Sequence, residues 1–226
     1  AAIPGAVVGG RIGYALIHLD YYRANPAALV DPGKGSLELG LAVVGATLSA
    51  GLVARILDRG PGVWLHVAAL PLLGTLGIGK IAAALGGSGQ GSFGDAPIAT
   101  VYLRPGPWGS LGADMAAWPS QLIEGLLVLT LVVVLVVSAV AFESRDHGQG
   151  RGSPDSRDRL DGRDFFLALG LWALVRFAVA FTWRDARVVG PLDVDQLISL
   201  AIVIGSAAAY RLVSRRATRD GSPLLA

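Results

Sequence analysis

No cysteine occurs in the 226 residues, which removes disulfides, thiolate metal sites and a cysteine nucleophile from this polypeptide. Charge is scarce as well: Asp, Glu, Lys and Arg make up 16% of the chain, well below the quarter usual in soluble domains. The histidines His18, His66 and His147 are scattered, with no metal-ligand spacing. Neither Gly79-Lys80 nor Gly33-Lys34-Gly35-Ser36 completes a Walker A phosphate loop. Metals, cofactors, nucleotides and nucleic acid are therefore not expected as partners.

What remains is apolar. Hydrophobic residues supply 53% of the chain and the mean hydropathy is +0.56, which marks a membrane protein. Six runs are long enough for a hydrocarbon core of roughly 30 Å: Ala1 to Leu19, Leu37 to Leu57, Val63 to Leu85, Leu122 to Phe142, Phe165 to Trp183, and Val194 to Tyr210. Backbone groups in lipid must bond within their own segment, so these runs predict helices. The expected fold is all-α, a polytopic membrane helix bundle of six visible transmembrane helices. It becomes seven if a helix precedes Ala1, since the sequence opens without Met and its sole Met is Met115.

Alternate connections differ in basic residues. One side gathers Arg55, Arg59, Arg145, Arg151, Arg157, Arg159, Arg163, Arg211, Arg215, Arg216 and Arg219; the other has Arg23, Lys34, Arg104, Arg184 and Arg187. The positive-inside bias then predicts a cytoplasmic C-terminus. Residues 143–163 read as a polar, Gly-rich cytoplasmic linker. Residues 86–121, with Phe93, Tyr102, Trp108 and Trp118 among Pro and Gly, read as a small extracytoplasmic cap, either an aromatic belt or a substrate-contacting lid. The bundle so defined spans 1–214, followed by a tail at 215–226.

Three cations, Arg11, Lys80 and Arg176, lie inside the apolar runs with no carboxylate close by in sequence. A charge at membrane depth costs at least about 2.5–3.5 kcal/mol, so such residues usually face a bundle interior and meet a counter-ion or substrate. The predicted site is one for an anion, with snorkelling of the side chain to the interface as the alternative, most open for Lys80. Gln121 and Glu124 follow Pro119-Ser120 at a helix entrance, where capping explains them as well as catalysis does, with pairing of Glu124 to one of the three cations as a further alternative.

Read in order, the local motifs are Gly10-Arg11-Ile12-Gly13-Tyr14, Gly35-Ser36-Leu37-Glu38-Leu39-Gly40, Gly79-Lys80-Ile81, Pro119-Ser120-Gln121-Leu122-Ile123-Glu124, Arg176-Phe177 and Asp195-Gln196-Leu197-Ile198-Ser199. Together they resemble the prolipoprotein diacylglyceryl transferases of bacterial inner membranes, over nearly the whole chain. The resemblance implies binding of phosphatidylglycerol, an anionic phospholipid, and transfer of its diacylglyceryl group to a lipobox cysteine thiol with release of glycerol phosphate. It also implies that Arg11, Arg176 and Lys80 hold the lipid phosphate.

Departures from the family pattern fall on its polar residues. Glu38 stands where Ser-Phe-His-Gly-Gly has His, and Lys80 stands where the family has Arg. Ala83 stands for Asn, Ser88 for the Glu of Asn-Gly-Glu, Ala180 for the Glu of Arg-Phe-x-x-Glu-Phe, and Trp172 for Tyr. Thiol attack needs a proton acceptor, and Glu38 is the residue left to supply one. Two expectations follow: a degenerate relative acting as a structural or accessory subunit of a membrane complex, or an active phosphatidylglycerol-dependent transferase.

Overall fold

The computed structural model describes residues 1–31, 33–57, 60–103, 114–148 and 161–220. Arg59, Arg104 and Trp108, most of the expected linker and the last six residues of the tail lie outside the described residues.

Helices α1 (Ala2–Ile17), α2 (Leu19–Ala24), α3 (Leu39–Ile56), α4 (Pro61–Leu85), α5 (Ser120–Gly148), α6 (Arg163–Val179) and α7 (Val194–Asp220) follow in order. A 3-10 turn at Pro26–Leu29 follows α2, and a hairpin of β1 (Arg187–Val189) and β2 (Leu192–Asp193) precedes α7. Five helices, α3 to α7, are long and apolar enough to cross a membrane, and the chain is a multi-pass membrane protein. The first run is shorter than the sequence led us to expect. Helix α1 has 16 residues, about 24 Å at 1.5 Å per residue, because His18 leaves the helical region at φ −112° and ψ 43°. Helix α5 is longer than expected and continues to Gly148, since no Gly or Pro interrupts residues 126–147.

Helix α6 is the centre of the bundle: 44% of its apolar window is buried, against 17 to 22% for the other four spanning helices. Trp172 on α6, Leu73 on α4 and Val128 on α5 are almost wholly enclosed and anchor the core. Apolar side chains such as Leu48, Ile78, Val133 and Ile204 point outward instead, as lipid-facing positions do.

Helices α1 and α3 approach until their backbones touch. A Cβ on Gly9 would stand 2.1 Å from the Leu41 carbonyl oxygen, and one on Gly45 2.1 Å from that of Gly5. Glycine at these positions lets the helices pack at a separation no other residue allows. Gly13 continues the same face, where a Cβ would meet Glu38 Oε2 at 2.7 Å. The Gly-Arg-Ile-Gly motif thereby makes room for an acidic side chain.

The described part of the cap is folded onto the bundle. Gly91 donates to Trp118 O at 2.8 Å, Trp118 to Ser92 O at 3.0 Å and Thr100 to Ala117 O at 2.9 Å. Ser92 N reaches Thr182 O at 2.7 Å, and the Ser120 and Thr182 hydroxyls lie 2.6 Å apart. These bonds tie the cap to the start of α5 and the end of α6.

Candidate functional site

Five charged side chains meet at the cap end of the bundle. Arg176, near the end of α6, is 5% exposed. Its Nη2 donates to Asp195 Oδ2 at 2.6 Å and to Glu38 Oε1 at 3.2 Å, and its Nη1 to Glu124 Oε1 at 3.4 Å. Lys80 Nζ sits 2.8 Å from Glu124 Oε2 and 5.4 Å from the Trp183 ring centroid. Glu124 thus bridges the two cations. The carboxylates that seemed missing around Lys80 and Arg176 come from other helices.

Helix polarity explains the arrangement. Glu38 is the N-cap of α3, Glu124 lies in the first two turns of α5 and Asp195 in the first turn of α7, whereas Lys80 and Arg176 lie in the last two turns of α4 and α6. Helix starts carry positive partial charge and helix ends negative. Each carboxylate therefore occupies an end that favours it, and so does each cation. Two cations face three carboxylates and pair with them, while Arg176 Nε and Asp195 Oδ1 have no hydrogen-bond partner among the described residues. Such pairs tolerate burial only where geometry is good and the remaining polar atoms are bonded.

Glu38 is fully engaged. Its oxygens accept from the backbone N–H of Gly40 and, at 2.6 Å, from that of Leu41, as an N-cap side chain does. Its own N–H donates to Gly10 O at 2.8 Å, which locks the start of α3 to α1.

A cleft of about 530 Å³ opens onto this cluster, lined among others by Tyr14, Glu38, Lys80, Gln121, Arg176 and Asp195. Gln121 lies there beside Gly89, whose φ of +68° and close approach leave no room for a side chain. An apolar groove of about 710 Å³, with Leu16, Leu41, Val44, Phe166, Leu169 and Ile198 in its wall, runs along α1, α3, α6 and α7. Helices α1, α3, α6 and α7 all contribute to both hollows.

Arg11 does not join the cluster. Its guanidinium donates to Leu29 O at 2.8 Å, Ala28 O at 2.7 Å, Ser36 O at 3.4 Å and Asp31 O, and its Cζ lies 5.7 Å from the Tyr22 ring centroid. It clamps the segment after α2 through backbone carbonyls. Of the residues expected to act together, Lys80, Arg176, Glu38, Gln121 and Glu124 share one site. Asp195 is the member that sequence reasoning left out, although its place at the start of a span, level with the ends of its neighbours, was a usable signal.

The family model for prolipoprotein diacylglyceryl transferase matches residues 1–212. The chain belongs to this family. A phosphatidylglycerol-prolipoprotein diacylglyceryl transferase of Geobacter sulfurreducens is 30% identical over 217 residues, covering 94% of this chain and 75% of the relative. One from Dehalococcoides mccartyi is 26% identical over 202 residues, covering 89% and 70%. One from Agrobacterium fabrum reaches 34% over 148 residues, covering 63% and 49%.

Outside the spans, Asp185 lines the cleft and Asp193 is buried in the hairpin before α7. Burial, followed by the charges of Asp195 and Asp193, raises the Asp185 carboxyl above its ordinary range. Burial likewise raises Asp193, against the lowering effect of the Gln196 N–H.

Proposed function

We propose that this family member, a protein of the bacterial inner membrane, holds a phospholipid in the cleft and no longer performs the transfer. It then serves as a lipid-binding accessory subunit of a membrane complex. Unpaired donors on Arg176 and Lys80 support the lipid. A guanidinium has five N–H donors and an ammonium three. Three from Arg176 and one from Lys80 are engaged by carboxylates, and Arg176 Nε is buried with no hydrogen-bond partner among the described residues. The donors left over suit phosphate oxygens, and the apolar groove alongside suits an acyl chain. Phosphatidylglycerol, the substrate in the relatives' names, is the reference ligand. Arg11, with its donors spent on carbonyls, stays outside this reading.

The lost chemistry rests on Glu38. Transfer forms a C–S bond, breaks the C–O bond to phosphate and must pass the thiol proton to an acceptor. Both Glu38 oxygens already accept backbone N–H groups, and one also accepts from Arg176. The carboxylate acts as a structural cap at the place where the family motif has His.

A transfer assay with phosphatidylglycerol and a lipobox peptide tests this. Glycerol phosphate release should stay at background while the lipid co-purifies. Release above background that Arg176→Ala abolishes establishes the second reading, an active transferase, favoured by the convergence of Glu38, Lys80 and Arg176 on one open cleft. Gentle extraction should bring down partner proteins; a lone monomer overturns the accessory role.

A further inference from the structure

The Arg-Phe-x-x-Glu-Phe pattern places an acid one turn after its Arg, where this chain has Ala180, buried at 1% exposure. The position next to Arg176 is not left without an acid. Asp195, from the start of a different helix, makes the shortest contact with the guanidinium, 2.6 Å. We propose that Asp195 supplies in space the carboxylate that position 180 lacks in sequence. It is a positioning residue: it aims Arg176 at the lipid headgroup, and the β1–β2 hairpin holds it in place. This rests on the lipid-binding reading above.

The hairpin does so through a reciprocal cap. Gln196 N donates to Asp193 Oδ1 at 2.7 Å, and Asp193 N donates to Gln196 Oε1 at 3.0 Å. This is a capping box with Asp at the N-cap and Gln three residues on, and it fixes the first turn of α7. Both side chains are enclosed, at 1% and 0% exposure. Arg187 on β1 braces the pair, with Nη1 3.4 Å from Asp193 Oδ2 and 3.3 Å from Gln196 Oε1. The strands pair antiparallel, Arg187 opposite Asp193. The short linkage Arg187, Asp193 with Gln196, Asp195, Arg176 thereby joins the surface hairpin to the buried guanidinium.

Asp195 offers one oxygen to Arg176, while Oδ1 has no hydrogen-bond partner among the described residues. Its charge, together with those of Glu38 and Glu124, fixes which guanidinium edge is occupied. The Nη2 edge and one N–H of Nη1 are engaged, leaving Nε and the second Nη1 N–H without a carboxylate partner. Without Asp195 the guanidinium loses its closest anchor and is free to rotate between the other two carboxylates.

The test measures phosphatidylglycerol retained by the full chain in nanodiscs of phosphatidylcholine and phosphatidylglycerol, read by native mass spectrometry, with melting temperature as a fold check. Asp195→Asn keeps the shape and removes the charge, and should lower retention about tenfold, the size of one charge-assisted bond. Asp195→Glu should restore most of it. Adding Ala180→Glu to Asp195→Asn should restore part, which a merely structural residue would not permit. Wild-type retention in Asp195→Asn, or a Glu variant as weak as Asn, overturns the proposal while leaving lipid binding intact. A wild-type chain that retains no phosphatidylglycerol overturns both. Should Asp195→Asn not fold, Arg187→Ala on the surface decides: retention should drop about two- to threefold, as for a partly exposed pair, and an unchanged value refutes the hairpin linkage.

Discussion

Arg11 and Arg176 look alike in the sequence, each a lone guanidinium within an apolar run, and the fold resolves them in opposite ways. Arg11 spends four of its donors on the carbonyls of Ala28, Leu29, Asp31 and Ser36. Arg176 takes its partners from three helices, all of them carboxylate side chains. Carbonyls leave a net charge in place and order a loop. Carboxylates cancel charge and build a compact polar core. An intramembrane cation therefore announces that a partner exists, without saying whether the partner is backbone, side chain or ligand.

The sharpest way to break this contrast is to remove the residue that bridges the two cations. Glu124→Ala leaves both Lys80 and Arg176 short of a carboxylate in a buried setting, where breaking such a pair costs about 3–5 kcal/mol. Unfolding in detergent should show a loss of that order. A loss below about 1 kcal/mol, as for a surface pair, would mean the cluster is hydrated.

Arg11→Met keeps an apolar stem and discards the donors. The expected cost is about 1–3 kcal/mol, from carbonyls left without their donor. Amide exchange should quicken across 28–36 while phosphatidylglycerol retention stays at the wild-type level. Retention falling as far as in Arg176→Ala would put Arg11 back in the lipid site and erase the distinction.

The smallest effect concerns pH outside the spans. Asp185 and Asp193 have folded pKa values raised above the ordinary 3.8, so their protonated forms are favoured by folding. Their contribution to stability is present below about that value and is lost as pH rises through the raised folded values. Melting temperature should therefore fall slightly on that rise, and Asp185→Asn should flatten the decline. A wild-type profile that climbs over the same range contradicts the shift.

Much of the architecture was legible because one constraint dominates it. Leu122 to Phe142 cannot be anything but a membrane helix when its backbone has to satisfy itself in hydrocarbon, and the other long runs follow the same logic. The end of α1 at Ile17 was not legible, since His18 interrupts an apolar run only through its backbone angles. In the site, Lys80, Arg176, Glu38, Gln121 and Glu124 were recognisable from motif order, and Glu124 as a partner for one cation, yet not that it bridges two. Separation along the chain hid Asp195 as a counter-ion, 19 residues beyond Arg176. It also made Arg11 look equivalent to the others.

By itself the sequence determined that this chain is a helical membrane protein of the prolipoprotein diacylglyceryl transferase family, and which charged residues lie within its apolar runs. Hydropathy and motif order are properties of the linear chain, and they needed nothing more. Only the tertiary structure decided that two of the three intramembrane cations are neutralised by carboxylates from other helices, and that Glu38 is held as a cap. Electrostatic energy depends on distance in space, and helix ends distant in sequence come within a few ångströms only once the bundle has packed.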